Sequence, residues 1–304
     1  MKAAIPENLK AELPQTTWGK VLGMTPIIMT VIATLLAGIA SSEMTHAQYD
    51  RSLAAQLQSR AGDQWGYFQA KKLRGSLQQN TLELLSATLA VPALDARTFQ
   101  IALEKLHAPA ADDTLAALVK TQLPAVPPGP GIAPNVQAAL DALTALKPEA
   151  ELNALLHQVT DADLDAAMTV AKDQAQAFDA AVKPVSTNLD HLAKMLGQPG
   201  VDRGWVQSFT AAHLRFGAAM YDNQARLNQV IGYLFELQVR KSNTSAERHH
   251  QRSGRFFYGM LAAQMGVVIS TFAIAARQKN LLWSLAAAAG LLAVSFSAWV
   301  FLRM

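Results

Sequence analysis

The chain has 304 residues, 51% of them hydrophobic and only 16% charged, against about 25% charged in a typical soluble domain; that balance points to apolar surface meant for something other than water. The formal charge of +3 conceals a split, since residues 91–200 hold 13 acidic and 7 basic side chains, a net of −6 that leaves +9 for the rest. Cations flanking apolar runs suit anionic lipid headgroups better than nucleic acid, and the absence of cysteine excludes disulfides, thiolate nucleophiles and thiolate metal sites.

The amino-terminal stretch, residues 1–20, is polar, and Pro6 and Pro14 oppose a long helix there. Trp18 and Lys20 stand where an aromatic and a cationic anchor belong at a membrane interface. Residues 21–40 carry no charge, and that length crosses about 30 Å of hydrocarbon as a helix. Pro26 falls in the first two turns of this span, where proline is tolerated. Gly38-Ile39-Ala40 also fits the small-residue cleavage site of an export signal; the long polar region ahead of it favours a retained span.

Residues 41–90 contain no proline and no strong turn signal. Leu53, Leu57, Ala61, Trp65, Phe68, Gln69, Leu73, Leu77 and Leu84 recur at mostly three- and four-residue steps, which predicts one apolar stripe on a long stalk helix. Gly62 and Gly66 lie four apart on one face, a spacing that allows close approach of a neighbouring helix or, alternatively, a kink. Val91-Pro92 ends the stalk. An acidic helical head is expected over 91–200, with short helices near 95–107, 111–122, 135–146 and 149–159, and a proline-rich linker at 124–134. Thr160-Asp-Ala-Asp163 reads as the start of a longer helix that closes at Gly197-Gln-Pro-Gly200.

Residues 201–255 form a second long helical pattern, expected to return antiparallel along the first stalk and to loosen at Ser242-Asn-Thr-Ser245. Two further apolar spans, 256–276 and 281–302, are joined by Arg277-Gln-Lys-Asn280, a loop short enough to force a membrane hairpin. Gly259, Gly266 and the Ala286–Gly290 run supply the small residues that let helices pack closely in lipid. The expected fold is therefore all-α, an integral membrane protein with three transmembrane helices, long antiparallel stalk helices and a helical head. Arg277 and Lys279, with Lys2, Lys10 and Lys20, place the short loop and the amino terminus in the cytoplasm and the large domain outside. Arg248, Arg252 and Arg255 argue for the opposite side. All of these cations except Lys2 and Lys10, together with Trp18, are membrane-interface candidates.

Chemistry is sparse. The seven histidines include no HxxxH pair and no HExxH, so the usual helix-face metal spacings are missing. His249-His250 diverge on a helix and read as interfacial cations among arginines. Asp161, Asp163 and Asp165 resemble a calcium loop only superficially, for the twelfth position is Lys172, and a helix amino terminus explains them better. Phosphate-binding and nucleophile-elbow motifs are lacking. Gln264 is the one strongly polar side chain well inside a span, and an interhelical hydrogen bond is its expected role. Catalytic, cofactor-binding and metal residues are thus expected to number none.

The most informative run is Asp63-Gln-Trp-Gly-Tyr-Phe-Gln-Ala-Lys-Lys-Leu-Arg74. Gln64, Trp65, Phe68, Gln69, Lys72 and Arg74 define an interaction seam, either a docking surface for a partner or the core of the local two-helix stalk, with the second favoured. This run, the early span, and the hairpin from Arg255-Phe-Phe-Tyr258 to Lys279-Asn-Leu-Leu-Trp283 resemble a bacterial family catalogued as domain of unknown function 4337. The resemblance covers about residues 20–80 and 205–302, with a middle region longer than that family's. It implies a bacterial inner-membrane protein and transfers no catalytic residue. The expected function is non-enzymatic: a scaffold that self-assembles, or an accessory subunit of a membrane complex, with the bilayer and further copies as partners and no nucleic acid. A membrane sensor whose head binds a ligand is the alternative.

Overall fold

The structure is a computed structural model that describes residues 17–105, 112–126, 129–275 and 279–303. Among these residues there are eight helices and no strand: α1 (Thr17–Thr88), α2 (Ala96–Lys105), α3 (Asp112–Lys120), α4 (Pro134–Thr144), α5 (Glu149–Leu156), α6 (Asp161–Leu196), α7 (Arg203–Ala275) and α8 (Lys279–Arg303). The fold is all-α, and α1, α7 and α8 are long and apolar enough to cross a membrane. Pro26 lies inside α1, which begins at Thr17 rather than at the apolar run. Helix α7 passes through Ser242-Asn-Thr-Ser245 without a break; that run has no glycine or proline, and burial of the adjacent Ala246, 1% exposed, outweighs its weak propensities. The chain divides into two compact units, Met1–Ala54 with Ser242–Met304, and Ala55–Lys241.

In the first unit the packing is inverted relative to a water-soluble core. Its interior is built from small residues, Ala263, Ala273, Ala286 and Ala293 being at most 1% exposed, around Phe256 and Val300. Large apolar side chains such as Ile27, Leu35, Phe272, Leu291 and Leu302 point outward. That arrangement suits lipid, where helices associate by close approach rather than by the hydrophobic effect. Glycines mark the close approaches: at Gly266 a Cβ would just fill the space to ordinary contact, 3.5 Å from the Ala286 carbonyl and 3.4 Å from the Met29 sulfur. Gly259 and Gly290 likewise make room for Ser297 and Met29.

The second unit has a conventional core. Phe99, Leu103, Leu118, Phe178, Leu189, Phe209 and Phe216 are buried together, each worth about 1.5–3 kcal/mol. Phe99 lies 5.8 Å from Trp205 and 6.0 Å from Phe209, ring centre to ring centre. Helix α6 starts where the sequence indicates, with a reciprocal cap: the Asp163 N–H donates to Thr160 Oγ1 at 3.1 Å and the Thr160 N–H donates to Asp163 Oδ2 at 3.0 Å. It carries Pro184 internally and ends at Gly197, and Gly200 follows at φ +92°, a conformation that favours glycine. Helix α4 ends in a Schellman motif, with Lys147 N–H bonded to Ala142 O and Leu146 N–H to Leu143 O. Leu146 sits at φ +52°, where glycine is usual.

Candidate functional site

Within the second unit α1 and α7 run antiparallel, and the predicted seam lies between them. Gln64 Nε2 donates to Asn228 Oδ1 at 2.6 Å and to the Asn228 carbonyl at 3.3 Å. Trp65 Nε1–H donates to Glu236 Oε1 at 2.8 Å, and its indole meets Phe68 and Tyr233 edge-on at 5.4 and 5.1 Å. The indole face lies on Gly232, where a Cβ would come within 3.2 Å of Trp65 Cε2. One turn further, Lys72 Nζ contacts Asp222 Oδ1 at 2.6 Å and Arg226 contacts Oδ2 at 2.9 Å. The hydrogen bond from Lys72 holds the Asp222 carboxyl below the usual carboxylate range, with Arg226 adding to the effect. Lys71 lies over the Tyr221 ring at 5.6 Å, Gly217 makes room for the Gln78 carboxamide, and Gly75 lies close to Tyr221.

Three of the six predicted seam residues therefore meet α7, namely Gln64, Trp65 and Lys72, and Phe68 is half-buried against the Trp65 indole on the same helix. Gln69 and Arg74 are exposed instead, and so are Leu73, Leu77 and Leu84. The open space around Gly62 and Gly66 likewise shows that these glycines mark no close approach among the described residues. The reason is rotational. Consecutive four-residue steps such as Trp65, Gln69, Leu73, Leu77 drift about 40° each around a helix of 3.6 residues per turn. The inward line mixes three- and four-residue steps, through Leu57, Ala61, Gln64, Phe68, Lys72, Gly75, Gln78 and Leu82.

The first unit holds an ion cluster that sequence reasoning missed. Glu43 Oε2 lies 2.6 Å from His249 Nδ1, and Oε1 lies 3.3 Å from Arg252 Nη1. The three side chains are 13%, 26% and 19% exposed, shielded enough for a charge-assisted contact to count. The His46 ring lies 5.3 Å from His249, and the Ser253 hydroxyl donates to the Ala40 carbonyl at 2.7 Å. Of the other interface candidates, Arg255 stacks over Trp299 at 5.7 Å and Arg248 is exposed. Arg277 and the side chains of Trp18, Lys20 and Lys279 lie outside the described residues, as does His107. A signal for Glu43 existed: it is the first charge after an uncharged run, facing a returning helix rich in Arg and His.

The Asp161–Asp165 acids each have a protein partner. Asp161 pairs with Lys241 at 2.8 Å, Asp163 closes the cap and accepts from Asn135, and Asp165 accepts from Gln238 at 2.9 Å. The cap from Thr160, then Asn135, keeps the Asp163 carboxyl below its ordinary value. Among the described residues no three His, Asp or Glu side chains gather as metal ligands would. Gln264 is exposed on α7, and no interhelical bond to it forms among the described residues, contrary to expectation. The nearby stripe of Phe256, Ala263 and Ser270 faces inward, which turns residue 264 outward.

Fold and site together define an all-α protein with three helices fit to cross a membrane and an antiparallel helical seam, with no cluster of metal-ligating side chains among the described residues. Residues 18–115 match the family model described as "Domain of unknown function (DUF4337)", which supports the resemblance drawn from the first span and the Asp63–Arg74 run; the carboxy-terminal spans lie beyond the match. No curated protein and no solved structure matches the chain.

Proposed function

We propose that the protein is a non-enzymatic, membrane-anchored assembly component, either a self-assembling scaffold or an accessory subunit of a membrane complex. One observation carries this reading. Leu73, Leu77 and Leu84 stand 62%, 56% and 64% exposed along one face of α1 that continues through the open Gly66 and Gly62. A row of exposed leucines with glycine clearance, interrupted by Gln69 and Asn80, favours a protein partner over water. The polar clusters are taken up in caps, ion pairs and seam contacts, which supports a structural rather than a catalytic role. Light scattering on the detergent-solubilised full chain tests the proposal: an oligomer or a stoichiometric co-purifying subunit is expected, and a strict monomer without partners overturns it.

The bacterial inner membrane is the proposed location, with Ala55–Lys241 on the periplasmic side. Arg277, Lys279, Lys2, Lys10 and Lys20 support that orientation by the excess of cations in short cytoplasmic segments. Labelling an Ala138→Cys variant in intact cells with an impermeant maleimide tests it, since the chain has no other thiol; protection from the reagent reverses the orientation.

A regulatory reading has one supporting feature. An open cavity of about 450 Å³ beside the seam is lined by Lys72, Gln79, Asn80, Thr121, Arg215 and Asp222, and Thr121 holds φ +54° at its edge. With Lys72 paired to Asp222, Arg215 and the neutral donors of Gln79, Asn80 and Thr121 favour a small anion there. Inorganic phosphate and dicarboxylate titrations followed by melting temperature test this, and no shift at millimolar concentration removes it.

A further inference from the structure

Gln264 lies in the second apolar span, nine residues beyond Arg255, roughly 13 Å along the helix axis in a hydrocarbon layer whose half-thickness is about 15 Å. Its carboxamide therefore falls near the middle of the bilayer. The inward stripe of this segment, Phe256, Ala263, Ser270 and Ala273, packs within the unit. The outward face carries Phe257, Leu261, Val268 and Phe272, 48%, 40%, 53% and 66% exposed, with Gln264 among them. The carboxamide has no bonding partner in its own chain among the described residues. Thr271, a second polar group on this face, is satisfied by the Val267 carbonyl at 2.8 Å.

A primary amide offers two donors and an acceptor, and acyl chains answer none of them; lipid ester groups lie at the interface, too shallow to reach it. We infer that Gln264 pairs with Gln264 of a second copy across the outer face of α7. The carboxamide is self-complementary, so the Nε2–H of each copy donates to Oε1 of the other. Copies inserted in the same orientation bring the same residue to the same depth about an axis along the membrane normal. Phe257, Leu261 and Val268 supply the van der Waals surface on either side. This rests on the assembly reading and names the membrane-embedded contact through which it works.

The chain has no cysteine, so Gln264→Cys introduces its only thiol. In the full-length protein in native membranes, copper-phenanthroline oxidation is expected to yield a covalent dimer, whereas Leu291→Cys, exposed on α8, yields little. By energy transfer between labelled copies in liposomes, Gln264→Ala is expected to weaken association about 3- to 30-fold, and Gln264→Asn to retain most of it. An oligomeric wild type with unchanged Gln264→Ala association and no more cross-linking of Gln264→Cys than of Leu291→Cys overturns this contact while leaving the assembly reading intact. A monomeric wild type overturns both.

Discussion

The close approach of Gly232 to Trp65 allows a double-mutant cycle with a worked expectation. An added methyl at residue 232 would stand 3.2 Å from Cε2 of the indole, short of the 3.5–4.0 Å optimum for carbon pairs, and 3.5 Å from Cδ2 and Cζ2, at its lower edge. The indole has little room to retreat, being bonded to Glu236 and wedged between Phe68 and Tyr233. Overpacking of this kind costs about 1–3 kcal/mol, while alanine in place of a helical glycine returns about 1 kcal/mol. Gly232→Ala should therefore be neutral to about 2 kcal/mol destabilising in the native background. In a Trp65→Leu background the clash is gone and the same change should stabilise by about 1 kcal/mol. The coupling between the two sites is then about 1–3 kcal/mol, read from helical circular dichroism melts of the full chain in dodecyl maltoside. An identical effect of Gly232→Ala in both backgrounds would refute the seam and return Trp65 to the list of partner-binding residues.

Other consequences are as direct. Leu146 is 89% exposed at φ +52°, so Leu146→Gly should raise stability by about 0.5–1 kcal/mol and exceed Leu146→Ala, which keeps the offending Cβ; equal melting of the two variants argues against a strained cap. Glu43→Gln leaves His249 and Arg252 facing a neutral amide and should cost about 1–3 kcal/mol, visible as a lower melting temperature in detergent. Burial holds His213 below its ordinary 6.5, and Asp190 only partly offsets this. The unfolded chain then binds the proton more readily, so this contribution is full above about pH 6.5 and is lost as pH falls through the folded value. Melts across pH 5–7.5 should show that loss, and His213→Gln should flatten it.

The helices were legible wherever the cause is local. Thr160 and Gly197 bracket α6 by capping chemistry, and uncharged runs of membrane length reveal the apolar spans. The facing of those helices was less legible, because it depends on a partner surface. Trp65 and Phe68 were placed in the seam by their size, yet Gln69 and Leu73 differ from them only by a rotation that α7 decides. Glu43 shows the same limit: a lone carboxylate acquires its role when His249 and Arg252 arrive from 200 residues away. Ser242–Ser245 looked like a weak point because its propensities are weak, and packing around Ala246 overrides them.

The small-residue interior of the first unit also decides where that unit tolerates change. A methyl group added at Gly259 or Gly290 must displace a neighbour, whereas away from the α7 face around Gln264 exchanges among Leu, Ile, Val and Phe on its outer surface alter only which tails they touch. In a water-soluble fold the exterior is free to diversify in polarity while the large core residues are fixed. Here the fixed part is a mould of missing side chains, and the bulky residues are its interchangeable coat. Mutational scanning of this unit should accordingly find its most sensitive positions among its smallest residues.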